Sequence, residues 1–196
     1  MHRRHLIGLA AAAALAPAAR AESVMGPDGL YTNPMFRDTF LDMAEDHAEA
    51  AAEGKTLAVL FEQNGCPYCR EMHEVNLSRP EIAAYLDQHF FVVQLDLWGA
   101  RPVTDFDGTE AEERALAAKW YVNFTPTMLF FGPDKQGAGS FQEAESFRLP
   151  GYFKPFHFLS ALEYVATGET ARQPFQRYLQ DKFAALAAQG IDPEVW

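Results

Sequence analysis

The only two cysteines of this 196-residue chain lie in one tetrapeptide, Cys66-Pro67-Tyr68-Cys69. Two thiols at this spacing can open and close a reversible disulfide, which makes thiol–disulfide exchange the first chemistry to consider. A structural staple is a weaker reading, because so short a loop removes little entropy from the unfolded chain. Metal binding is the third. Cys69 and His73 are four apart, hence on one helix face, and with Met72 they would suit Cu(I). A histidine so placed is more often a surface residue. The sequence therefore favours redox chemistry, with no metal and no cofactor assigned.

The flanking elements must position these thiols. Thr56-Leu57-Ala58-Val59-Leu60-Phe61 reads as a buried strand, Asn64-Gly65 as a turn, and Cys66 onward as a helix start. Pro67 takes the first helical position, where a missing N–H costs nothing. A cysteine at such a place meets unpaired amides and the positive end of the helix dipole, which favour thiolate over thiol. Glu62, at the strand end, is on its own a carboxylate that could face solvent.

Elsewhere, residues 22–33 form a Gly/Pro-bearing lead-in. Phe36, Phe40, Met43, Ala44 and His47 recur at helical spacing and predict a helix over residues 34–53, ended by Gly54. Ser78 is placed to cap a helix over 80–88, and 90–97 is a second apolar strand. Residues 98–108 read as a loop, and Thr109 with Glu112 as a capping box for a helix reaching Trp120. The stretch from Asp96 and Trp98 to Glu113 reads mainly as solvated acidic loop, with a partner-recognition insertion as the alternative. Thr125-Pro126 opens a third strand, where proline is tolerated. A fourth, antiparallel to it, lies within 140–148, and helices follow over 154–167 and 174–189. This order predicts an α/β fold, with a mixed central sheet covered on both faces.

The N-terminal residues carry a targeting pattern: Arg3 and Arg4, an apolar stretch over 6–16, and Ala19-Arg20-Ala21 as a small-x-small cleavage site. Residues 1–21 are read as a signal peptide, and 22–196 as a single domain. General secretion is favoured, although Arg3-Arg4 also fits twin-arginine export. No other stretch is long and apolar enough to span a bilayer, so with the export signal the mature chain is expected to be soluble in the periplasm, with a lipid-free extracellular protein as the alternative. The net charge of −11 becomes more negative once three arginines leave with the signal, arguing against nucleic acid or an anionic membrane surface as partner.

With Cys-x-x-Cys after the first core strand and Thr125-Pro126 opening the third, the chain resembles the thioredoxin superfamily over residues 36–168. Around that core lie an N-terminal helix extension, a loop insertion and a C-terminal helical extension over 169–196. Residues 61–73 and Leu149-Pro150-Gly151-Tyr152 look more narrowly like the periplasmic thioredoxins of bacterial sulfur oxidation, the SoxW type. The resemblance implies that Cys66 is the nucleophile and Cys69 the resolving thiol. It also implies a cis Pro126 whose loop, with Thr125, Pro67 and Tyr68, meets substrate. Partners would be periplasmic protein disulfides or thiols, among them a cysteine-bearing sulfur carrier, with a membrane thiol-electron transporter as reductant. A dithiol oxidase, a thiol donor for cytochrome c maturation and a copper-binding metallochaperone remain alternatives. Two departures stand out. Leu60 occupies the place of the family's buried strand aspartate, leaving Glu62, two residues on and on the same strand face, as the candidate proton acceptor for Cys69, with a solvent-facing carboxylate as the alternative. Pro67-Tyr68 is a glutaredoxin-like dipeptide, for which potentials of about −200 to −230 mV are usual against about −270 mV for thioredoxin.

Overall fold

The computed structural model describes residues 23–192; the segment read as a signal peptide lies outside them. The described chain enters through a small antiparallel hairpin, β1 (Val24–Met25) and β2 (Tyr31–Thr32). It then turns from Asn33 to Phe36 and runs without helix, bridging from Phe36 to Val92 and from Asp42 to Thr104, before α1 (Met43–Ala52). The first half of the helix expected over 34–53 is therefore not helical. Phe40, which matched the helical period, is 97% exposed. The start is decided instead by Asp42, whose carboxylate accepts hydrogen bonds from the Ala44 and Glu45 amides at 3.1 and 3.0 Å.

Next come β3 (Thr56–Glu62), buried throughout, and α2 (Pro67–Glu71), which continues as a π-helical turn over Met72–Asn76. The helix α3 (Pro80–His89) and the strand β4 (Phe90–Asp96) follow. Ser78 does not cap α3. Its hydroxyl donates back to the Glu74 carbonyl, and Arg79 holds the cap position.

The expected acidic loop is folded. The strands β5 (Pro102–Thr104) and β6 (Glu110–Glu112) pair antiparallel, so Thr109 and Glu112 form no capping box, and α4 (Glu113–Lys119) starts after them. Glu113, 1% exposed, anchors this insertion. Its carboxylate accepts from the Asp96 amide at 2.9 Å, from the Arg101 amide at 3.2 Å, and from the Arg101 guanidinium at 2.6 and 3.1 Å. Gly99 is there because nothing larger fits: a Cβ at this position would collide with Glu113 Oε2.

The chain closes with β7 (Thr127–Phe131), the short α5 (Phe141–Ala144), β8 (Glu145–Pro150), α6 (Pro155–Ala166) and α7 (Phe175–Ala188). The sheet order is β4-β3-β7-β8, with β3 and β4 parallel and the other pairs antiparallel. Alternation along β3 sends Leu57, Val59 and Phe61 into one core, with Trp120 and Phe131, on the side of α1 and α4. Ala58 and Leu60 enter the other, with Met72, Ile82, Leu86 and Phe158 from the helices α3 and α6 and the π turn. Each large side chain buried this way contributes about 1.5–3 kcal/mol. The last helix buries no residue fully. It is held on α6 by Phe183 against Phe156 and by Lys182, which donates to Ser160 Oγ at 2.9 Å.

Candidate active site

At the C-terminal end of β3 the chain turns through Asn64-Gly65, where Gly65 takes a left-handed φ of 73° that its lack of a Cβ permits. This delivers Cys66 to the N-cap of α2, with Pro67 in the first turn. Cys66 and Cys69 form a disulfide. Cys66 Sγ accepts the Cys69 backbone N–H at 3.0 Å, so the cysteine caps its own helix through sulfur. The pair is asymmetric: Cys66 is 9% exposed and Cys69 2%.

The Thr125–Pro126 peptide bond is cis, and its loop lies against the outer sulfur. Thr125 Oγ1 donates to Cys66 Sγ at 3.3 Å, and the Thr125 carbonyl oxygen is 3.7 Å from the same atom. The Pro126 carbonyl accepts the Gly151 N–H at 2.8 Å, fixing the loop to the end of β8. Aromatic rings sit on the segments next to the disulfide, Tyr68, Trp98 and Phe124 exposed and Tyr152 half-buried. Tyr68 stacks on Tyr152, centroids 6.4 Å apart, and Trp98 donates its indole N–H to Gln63 at 3.2 Å. Phe124, next to Thr125, is also exposed.

Behind the disulfide lies a buried polar network. Glu62, 1% exposed, faces inward and is not the solvent-facing carboxylate of the alternative reading. His73 Nε2 is 3.1 and 3.0 Å from its two oxygens, and Gln94 Nε2 donates to it in a short hydrogen bond. The same Gln94 amide donates to the Tyr31 carbonyl at 2.6 Å. His73 is equally buried, against the expectation of a surface residue. Its Nδ1 lies 2.7 Å from Ser23 Oγ, and its ring is stacked by Tyr31 at 5.1 Å and met edge-on by Phe36 at 5.7 Å. Both ring nitrogens are thus engaged within the network, turned to Glu62 and Ser23 rather than to a metal shared with Cys69.

A groove of about 170 Å³ opens beside the disulfide between the β1–β2 hairpin and α2. Met25, Leu30 and Tyr31 line one wall; Glu62, Cys66, Cys69 and Arg70 line the other. Every residue expected at the site, Glu62, Cys66, Pro67, Tyr68, Cys69, Thr125 and Pro126, comes to this one end of the sheet. Sequence reasoning missed Gln94, Ser23, Tyr31, Phe124 and the burial of His73. One signal was readable: Cys69, Met72, His73 and Asn76 have the spacing of a single inward helix face.

The sequence model of the thioredoxin-like domain family matches residues 43–166. The chain belongs to the thioredoxin-like family. Among solved structures, a thioredoxin from Thermus thermophilus is 30% identical, with a TM-score of 0.50, aligned over 68% of this chain and 94% of that one. A thioredoxin-fold protein from Helicobacter pylori is 22% identical, with a TM-score of 0.54, over 77% of this chain and 88% of its own. No curated protein matches the chain by sequence. With its Cys-x-x-Cys disulfide at the head of the helix after the central strand, this thioredoxin-like chain is a thiol–disulfide oxidoreductase. Among the described residues, no helix is long and apolar enough to cross a membrane.

Proposed function

We propose that the protein is an exported reductant of partner-protein disulfides: a signal peptide over residues 1–21, then a single thioredoxin-like domain working in the periplasm. Cys66, as thiolate, attacks a substrate disulfide; one substrate sulfur leaves with the bonding electron pair and the other is held as a mixed disulfide. Cys69 then attacks Cys66 Sγ. The Cys66–Cys69 bond forms, the bond to substrate breaks, and the second substrate sulfur leaves as a thiolate. Glu62 takes the proton that Cys69 gives up.

The observation that carries this reading is the asymmetry of the pair. The cysteine at the helix N-cap is the more exposed one and lies under Thr125, while its partner is almost fully buried and touches only the groove. Pro67, Tyr68, Thr125 and Pro126 form the surface that meets substrate, and a membrane thiol transporter returns the dithiol to its reduced state. The Leu149-Pro150-Gly151-Tyr152 turn, whose tyrosine stacks on Tyr68, supports the sulfur-oxidation type, with a cysteine-bearing sulfur-carrier protein as substrate.

The deciding experiment is the Cys69→Ser variant, expressed in the periplasm and identified with whatever it holds by mass spectrometry. It is expected to accumulate covalent adducts that dithiothreitol releases, whereas Cys66→Ser accumulates none. Equal trapping by both variants, or by neither, would reject the assignment of roles.

A further inference from the structure

We infer that His73 is a positioning residue for the resolving step: it holds the Glu62 carboxylate toward the groove and, with Ser23, carries the Cys69 proton from that carboxylate to the edge of the protein. The inference rests on the reading of Glu62 as the proton acceptor.

A buried carboxylate that accepts a proton must also be able to pass it on. Glu62 lies at the inner wall of the groove that Cys69 also lines, a space of about 170 Å³ with room for bridging water, which occupies roughly 30 Å³ per molecule. Taking up a proton there is easy to arrange; releasing it is harder, because Glu62 is almost completely shielded from solvent. Its partners differ in this respect. Gln94 can donate to the carboxylate but cannot carry a proton away. His73 can, since an imidazole receives a proton at one ring nitrogen and releases one from the other.

The geometry suits this transfer. Nε2 lies 3.0 Å from Glu62, and Nδ1 lies 2.7 Å from Ser23 Oγ, on a half-buried residue of the lead-in. Asn33 donates to the same hydroxyl at 3.1 Å, leaving that oxygen a second lone pair to accept the Nδ1 proton and its own proton to pass to solvent. The ring cannot rotate out of line, being stacked by Tyr31 and blocked at its edge by Phe36. When Cys69 attacks Cys66 Sγ, its proton passes to Glu62, from Glu62 to Nε2, and a proton leaves Nδ1 through Ser23. The electron pair leaves with the substrate sulfur, and no further oxidant or reductant is involved. The other titratable or charged groups around the pair are Tyr31 on the hairpin, Arg70 beside Cys69 on α2, and Asp96, register partner of Glu62 on β4.

The test separates the two chemical steps by rapid mixing of reduced protein with insulin and acid quenching, from pH 5 to 9. His73→Gln keeps an N–H for Glu62 but cannot shuttle a proton. It is expected to slow mixed-disulfide resolution about tenfold at pH 7, to flatten its pH profile, and to regain rate with added imidazole. In the Cys69→Ser background, adding His73→Gln should leave the rate of mixed-disulfide formation unchanged within twofold. Ser23→Ala, which leaves the core intact, should slow resolution several-fold with the same imidazole rescue. If Glu62→Gln slows resolution while His73→Gln and Ser23→Ala keep the native pH profile, the His73 inference fails and Glu62 stands. An unchanged rate in Glu62→Gln removes the underlying reading as well.

Discussion

Two buried glutamates, Glu62 and Glu113, flank the same end of the sheet, each about 1% exposed, and their partners give them opposite characters. Glu113 is held by a guanidinium and two backbone amides, none of which can release a proton at ordinary pH. It is a structural anchor that ties the β5–β6 insertion to β4. Glu62 is held by an amide side chain and an imidazole, and it borders a groove shared with the disulfide. Burial alone does not make a carboxylate reactive; the ability of its partners to move a proton does.

The contrast breaks if the two carboxylates respond alike to substitution. The largest stability effect is expected from Glu113→Ala, which leaves two backbone amides without their acceptor and the half-exposed Arg101 guanidinium with only the Gln94 carbonyl. Urea unfolding should show a loss of about 3 kcal/mol, with the exchange rate per folded molecule unchanged. A loss below about 1 kcal/mol would mean that this carboxylate is not the anchor. Gly99→Ala probes the same site by crowding, since its Cβ would run into Glu113 Oε2, and should cost about 2 kcal/mol in the same assay.

A third buried acid sharpens the rule. Asp46, in the first turn of α1, is hydrogen-bonded by Thr39 at 3.0 Å. Its pKa is pushed up to about 7, first by burial and then by the neighbouring Glu49, Asp42 and Glu45. An acid whose folded pKa is raised binds more protons folded than unfolded, so it costs stability as pH rises from about 4 to about 7. Asp46→Asn should therefore match the native protein below pH 4 and exceed it above pH 7. After allowance for solvent screening the gain is about 2 kcal/mol, read as a Tm difference between pH 4 and pH 8. A gain that does not grow with pH would place the charge elsewhere. The smallest stability change, about 1 kcal/mol, is expected for Glu62→Gln, and there the rate should fall instead: stopped-flow resolution should slow at least tenfold at pH 7.

The central strands and the helix at Cys66 were legible because their signals are local: continuous apolar runs, a turn dipeptide, a proline at the first helical position. The Thr125-Pro126 pair was legible through the family pattern. The failures share a cause in distant contacts. Phe36 and Phe40 mimic a helical period, but pairing of Phe36 with Val92 extends that segment. Thr109 and Glu112 mimic a capping box, but Glu110–Glu112 is claimed by Pro102–Thr104. His73 reads as a surface residue because the groups that bury it, Ser23, Tyr31 and Phe36, lie 37 to 50 positions earlier in the chain. No local period reports a ring stacked from that far away.

The contact between Ser23 and His73 also governs how the protein can be handled. A tag or dye fused directly ahead of Ser23 starts within one hydroxyl of a buried imidazole and would perturb the kinetics it was meant to report. One placed after α7, on a helix that buries none of its residues fully, leaves that imidazole alone. Labelling strategy is thus set by the redox centre, through a serine of the lead-in that reaches its buried imidazole.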